Sequence, residues 1–282
     1  IHTADPAALV KGDTLWLFAG RDQNGNQSGY VMKDWLVFST TDMKHWTQYP
    51  VPLKVEDFKW AASKQAYAGH VAERNGKYYW YVSTNWCGIG VAVSDKITGP
   101  YKDALGKPLL TNKDCFDSHH SWACIDPAVF IDDDGQAYLT WGNRECYIVK
   151  LKDNMIETEG EVKRIHIDES HPFTEAPWIH KHDGKYYLTY ASEWPEKIAY
   201  AVADHIEGPY ETKGIISEIA GNSNTTHPAI VNFKGQWIFI SHNGGLPTGT
   251  SYSRSVVAEP MEYNADGSIK PIPPTAEGVK PL

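Results

Sequence analysis

The chain has 282 residues, 41% hydrophobic and 22% charged, so it is globular and long enough for one large or two small domains. A net charge of −9 without any Lys/Arg cluster argues against nucleic acid and anionic membrane surfaces as partners. No apolar run reaches the roughly 18 residues that a membrane-spanning helix needs, so no membrane partner is expected.

Taken in chain order, one pattern is written five times. It reads ADPAALVKGDTLWLF from Ala4, AGHVAERNGKYYWYV from Ala68, IDPAVFIDDDGQAYLTW from Ile125, TEAPWIHKHDGKYYLTY from Thr174 and THPAIVNFKGQWIFI from Thr226. Each copy is a short apolar run, a turn at Gly12, Gly76, Gly135, Gly184 or Gly235, and a strand rich in Trp, Tyr and Phe. That is a β-hairpin signature. Repeats of roughly 50 residues built from strands predict an all-β fold, a five-bladed β-propeller with one blade per copy. Blades are expected to start near residues 4, 68, 125, 174 and 226. No linker-like break interrupts them, so residues 1–282 read as one catalytic domain. The Pro-rich stretch 267–282 reads as an irregular tail or a closing strand.

The slot before each apolar run holds Asp5, Gly69, Asp126, Glu175 and His227. Equivalent positions of a propeller ring its axis, so these residues are expected to meet. With 35 acids in the chain, five random slots would hold roughly 0.6 of them, against three here. Gathering three acids in a narrow mouth costs electrostatic energy, because like charges repel there. Asp-Pro also serves as an ordinary turn, the plainer reading of these residues.

Most of the aromatic residues fall in the strands, where packing between blades explains them. Trp86, Trp122 and Trp194 fall in or near loops and are the better candidates for stacking on a sugar. The four cysteines (Cys87, Cys115, Cys124, Cys146) lack metal-type spacing. Cys115 and Cys124 are suited either to bridging a loop or to remaining buried thiols. The chain begins at Ile1 and not Met, so a removed export signal is compatible with it; a secreted or periplasmic location is expected.

Two Asp and one Glu in an aromatic-rimmed pocket suit glycoside hydrolysis, where one carboxylic acid protonates the leaving oxygen and another carboxylate activates water or attacks the sugar. A third carboxylate helps keep the acid protonated near neutral pH. Divalent-metal binding by the same acids with His227 is the alternative, although tight Ca²⁺ sites draw several ligands from one loop.

With these residues the chain resembles glycoside hydrolase family 43. The segments that carry the resemblance are TADPAAL (3–9), MKDWLVFSTTDMKHW (32–46), ERNGKYYWYVS (73–83), IGVAVSDKITGPY (89–101), IDPAVFIDDDGQAYLTWGN (125–143), FTEAPWIHK (173–181) and THPAI (226–230). The resemblance implies a five-bladed propeller that acts on arabinose- and xylose-containing polysaccharides with inversion of configuration. It makes Asp5 the general base, Glu175 the general acid and Asp126 the residue that tunes the acid and orients the sugar. Arg254 and Asn143 are implied as sugar contacts. No cofactor is required for the chemistry, and His227 is implied beside a structural Ca²⁺ or other cation held largely through water. The implied partners are plant cell-wall arabinoxylan, arabinan or derived oligosaccharides. Within the family an exo-acting α-L-arabinofuranosidase is preferred, with β-xylosidase as its neighbour. The nucleophile motif of retaining five-bladed relatives, of the NDPNG type, is replaced here by ADPAA. Two segments depart from the family pattern, GRDQ (20–23) and STNWCG (83–88), and both are expected at the pocket mouth. A non-catalytic sugar-binding propeller is the rival of another class and predicts the loss of one acid. A WD-repeat interaction propeller lacks its dipeptides here.

Overall fold

The computed structural model describes residues 1–23 and 28–282. They build five antiparallel sheets. Blade one contains β1 (His2–Lys11), β2 (Thr14–Asp22), β3 (Met32–Thr40) and the short β4 (Thr47–Gln48) and β5 (Leu53–Lys54), which both pair with β3. Blade two contains β6 (Ala66–Arg74), β7 (Lys77–Thr84), β8 (Gly88–Ser94) and β9 (Lys102–Asp103). Blade three contains β10 (Ala128–Ile131), β11 (Ala137–Trp141), β12 (Tyr147–Leu151) and β13 (Thr158–Arg164). Blade four contains β14 (Phe173–His182), β15 (Lys185–Ser192), β16 (Lys197–Ala203) and β17 (Glu211–Ser217). Blade five has three strands, β18 (Ala229–Phe233), β19 (Gln236–Asn243) and β20 (Ser255–Met261).

The innermost strands close a ring: β1 touches β6, β6 touches β10, β10 touches β14, β14 touches β18, and β18 returns to β1. This is the expected five-bladed propeller, and each innermost strand begins within three residues of its predicted position. Local chemistry drives the hairpins. In blades two, four and five the turns are Asn75-Gly76, Asp183-Gly184 and Lys234-Gly235, with both residues at positive φ. That geometry matches the twist of paired strands.

The core lies between the blades. Phe18 of blade one meets Trp80 of blade two edge to face at 5.2 Å, and Trp35 and Trp80 are fully buried. Polar ties cross the same seams. Trp35 Nε1 donates to the Tyr67 carbonyl at 2.8 Å, Tyr81 Oη to Met155 at 2.5 Å and Trp178 Nε1 to Ile230 at 3.0 Å. Lys181 of blade four reaches Asp132 of blade three at 2.9 Å. Blade five is joined to blade one by the Thr3 N–H, which donates to the Arg254 carbonyl at 2.9 Å.

The C-terminal stretch is the irregular tail and not a closing strand. It runs along the outside of the ring: Ile272 N–H bonds Ile216 of blade four, Thr275 N–H bonds Glu259 of blade five, and Leu282 N–H bonds Asp42 of blade one. Its prolines at 271, 273, 274 and 281 lack the N–H groups that a continuous ladder requires. Among the described residues, no helix is long and apolar enough to cross a membrane.

Candidate active site

Asp5, Asp126 and Glu175 line one cavity of about 560 Å³ together with Asn143 and Arg254. That volume lies in the range of small-molecule sites. The three acids are presented by three different blades, as expected from their slots. Their backbone geometry is not equivalent, however. Asp5 (φ 53°) and Asp126 (φ 60°) are left-handed residues directly before a proline, and in blade four that place is taken by Ala176 (φ 61°). Pro6, Pro127 and Pro177 therefore correspond, and Glu175 stands one residue earlier than the two aspartates. The β1–β2 and β14–β15 ladders slip at these points, between Ala4 and Ala7 and between Glu175 and Trp178. A bulge of this kind re-aims a side chain, and left-handed non-glycine residues cluster where function requires them.

Backbone bonds lock each aspartate. Ala176 N–H donates to Asp126 Oδ2 at 3.0 Å, and Asp126 N–H donates to Ser83 Oγ at 3.3 Å. Asp5 N–H donates to His242 Nδ1 at 3.0 Å. This fixes His242 as the neutral Nε2–H tautomer, which bonds Thr225 Oγ1 at 3.1 Å. Burial, with Arg254 nearby, pushes His242 well below the usual histidine range. Its 3.5 Å approach to Asp5 Oδ1 is therefore not an ion pair.

Arg254 lines the cavity, but most of its donors are committed. Nε and Nη2 hold both oxygens of buried Asp22 at 2.9 Å, and Nη1 holds Asp5 Oδ1 at 3.0 Å. Burial opposes its charge, and Asp5 and Asp22 hold it ionised. The ring of Tyr30 covers the guanidinium at 4.8 Å. Asn143 Nδ2 donates to Glu175 Oε2 at 2.7 Å, so it orients the acid directly.

Burial, then Glu175 and Asp5, push Asp126 well above the ordinary carboxylate range. Burial also raises Glu175, with Asp5 adding to the effect. Raised proton affinity on two carboxyls beside an aspartate ion-paired with arginine is an arrangement that can divide acid and base roles between carboxyls.

Of the loop tryptophans, Trp122 and Trp194 line the cavity, and both are exposed at its rim. Trp86 does not. It projects from the β7–β8 turn with 64% of its surface exposed, outside the lining. The cavity lies toward blades three and four, and blade two contributes only Tyr67 and Ala68 to it. The divergent segments GRDQ and STNWCG contribute no residue to the cavity lining; one residue of each supports it, Asp22 by anchoring Arg254 and Ser83 by bonding Asp126. Cys115 and Cys124 are free buried thiols, with Trp141 Nε1 donating to Cys115 Sγ at 3.3 Å.

His227 is buried at the axial side, and its Nδ1 lies 3.8 Å from Asp5 Oδ1, beyond hydrogen-bond length. Burial lowers it to about 4, so it is neutral. Among the described residues, no three His, Cys, Asp or Glu side chains converge to hold a metal ion. A cation bound directly by protein carboxylates does not fit this site.

The sequence of the chain from residue 1 to residue 269 matches the model of glycosyl hydrolases family 43. The chain belongs to that family. A relative named xylosidase/arabinosidase 43A, from Humicola insolens, is 33% identical over 95% of this chain and 96% of its own length. A family 43 β-xylosidase/α-arabinofuranosidase from a compost metagenome superimposes with a TM-score of 0.88 at 30% identity, covering 98% of this chain and 96% of that one. An α-L-arabinofuranosidase from Clostridium thermocellum gives 0.81 at 35% identity over 99% and 95%. This family 43 chain is accordingly a glycosidase.

Sequence reasoning missed Asp22, His242, Tyr30, Tyr67 and Glu196. Tyr30 and Tyr67 line the cavity, yet neither falls in a repeated slot.

Proposed function

We propose that the chain is an exo-acting, inverting pentosidase that releases terminal α-L-arabinofuranose from arabinoxylan, arabinan or their oligosaccharides. The observation that carries this reading is the convergence of Asp5, Asp126 and Glu175 on one cavity, with Asp5 ion-paired to Arg254 and burial raising the proton affinity of the other two. All three acids are present, so a propeller that kept only sugar binding is disfavoured.

In this reading Asp5 takes a proton from a water whose oxygen attacks the anomeric carbon. Glu175 gives its proton to the leaving oxygen as the glycosidic bond breaks. Asp126, presented by blade three, supports the protonated state of Glu175 and orients the sugar. Trp122 and Trp194 supply apolar faces for the sugar at the rim. A cation at the axis would take one protein ligand from His227 and the rest from water, and no step of the chemistry runs through it.

The names of the relatives speak for both pentoses: xylosidase/arabinosidase in Humicola insolens and arabinoxylan arabinofuranohydrolase in Bacillus subtilis, the latter 28% identical. β-Xylosidase is therefore the second reading. An aryl α-L-arabinofuranoside and an aryl β-D-xyloside assayed side by side decide the preference, and proton NMR of the first-formed sugar tests inversion. Release from neither substrate would favour a binding propeller. Retained configuration would make Asp126 a nucleophile and overturn the role of Asp5 as the base that activates water.

A further inference from the structure

The turn between β15 and β16 carries a carboxyl that this chemistry leaves unused. Glu196 is 0% exposed, yet it lines the cavity. Its Oε2 accepts the Thr226 N–H at 2.8 Å, and its own N–H donates to the Asn224 carbonyl at 2.9 Å, so blade five holds it in place. Its Oε1 is buried without any ordinary donor. The Glu196 carboxyl lies within hydrogen-bonding reach of the Glu175 carboxyl. Two ionised carboxylates are both acceptors and cannot bond each other. Their contact requires a proton between them, the state that paired acids adopt when both cannot ionise. Glutamine would satisfy the Thr226 N–H equally well, so packing alone does not call for an acid here.

We propose that Glu196 is a positioning residue that shares one proton with Glu175 and keeps it aimed into the cavity for delivery to the leaving oxygen. The inference rests on the acid role assigned to Glu175. Asn143 pins one oxygen of Glu175 and Thr226 pins one oxygen of Glu196, which leaves the others for the shared proton. As the C–O bond breaks, its electron pair stays on the leaving oxygen and the proton passes there from Glu175. The pair is then one proton short and regains it from solvent after product leaves, while the proton of the attacking water resides on Asp5.

The surroundings favour proton retention. Burial is the first cause of the raised proton affinity of both glutamates; Asp5 adds to it at Glu175 and Asp126 at Glu196. At Glu175 the bonds from Glu196 and Asn143, and then Arg254, oppose it. Tyr30 and Tyr67 face the same carboxyls and stay neutral, raised first by their own burial. Arg144 and Glu193 are the other charged residues of the lining.

The test is Glu196→Gln, which keeps the volume and an oxygen for Thr226. The alkaline limb of the kcat/KM profile should move down by about one pH unit. Above that limb, a glycoside with a poor leaving group should lose about tenfold more rate than an activated aryl glycoside. A readout free of turnover is ¹³C NMR of carboxyl-labelled glutamate: the wild type should show a coupled pair titrating above the usual range, and the variant should lose it. The melting temperature confirms that the variant folds. An unchanged titration, or an unmoved limb with equal loss on every substrate, would overturn the proposal. A coupled titration in a wild type that cleaves neither aryl pentoside would support the shared proton and sink the pentosidase reading alone.

Discussion

Asp22 holds Arg254 by three bonds: both carboxylate oxygens bind the guanidinium at 2.9 Å, and Oδ2 also accepts the Arg254 N–H at 2.8 Å. Both residues are buried, and 232 residues separate them in sequence. The end of β2 in blade one thus fixes the start of β20 in blade five, and the remaining guanidinium nitrogen is left pointing at Asp5.

Asp22→Asn should therefore reach activity through Asp5. Removing one charge of a buried pair costs about 3 kcal/mol, because the other is left uncompensated. The melting temperature should fall, and kcat should fall more than KM rises, since Arg254 would be drawn toward Asp5. Full activity with unchanged stability would show that Asp5 does not depend on this anchor.

Asp5→Asn should leave the fold intact and reduce turnover about 10²–10⁴-fold on every substrate, because an amide cannot take a proton from water. Circular dichroism checks the fold and steady-state kinetics the rate. A variant that kept more than a tenth of wild-type turnover would move the base assignment elsewhere.

Glu175→Gln should discriminate between leaving groups. Natural glycosides need the proton most, so they should lose far more rate than activated aryl glycosides. Asn143 still has an oxygen to bond in the variant, so orientation is kept. Equal loss on both substrates would mean that Glu175 shapes the site without donating the proton.

Stability should fall with pH on the acid side. Burial lowers His70 and His180 to about 3 and His227 to about 4, from 6.5 in the unfolded chain. Folded values below unfolded ones give stability that is complete above 6.5 and lost as pH falls toward 3–4. At pH 5 each histidine costs about 2 kcal/mol. The raised carboxyls Asp126, Glu175 and Glu196 act in the opposite sense, losing stability as pH rises above the usual carboxylate range. The melting temperature followed by calorimetry from pH 7 to 4 should drop, and His180→Gln should flatten the drop, since glutamine can still bond the Tyr263 hydroxyl that His180 meets at 2.6 Å. Identical profiles for the wild type and His180→Gln between pH 6.5 and 4.5 would contradict a buried neutral His180.

Five hairpins were legible because a hairpin is a local object: alternation, a Gly turn and aromatic strands all lie within one short segment. Asp5, Asp126 and Glu175 were legible because repetition places equivalent slots around one axis, so a comparison within the chain stands in for a contact in space. Asn143 and Arg254 needed the family resemblance, being tied to no repeated slot.

The tertiary structure decided the rest. Trp86 and Trp194 both sit on the turn between the second and third strands of their blades, but the cavity opens toward blades three and four and takes only Trp194 of the two. The offset of Glu175 from the two aspartates depends on which residue before proline turns left-handed, a choice made by the strand ladder. Asp22 and Glu196 read as ordinary acids in the chain, since their partners come from other blades or through a fold of the strand. A buried charge acquires its meaning from what desolvates it and what pairs with it, and both are supplied by distant residues.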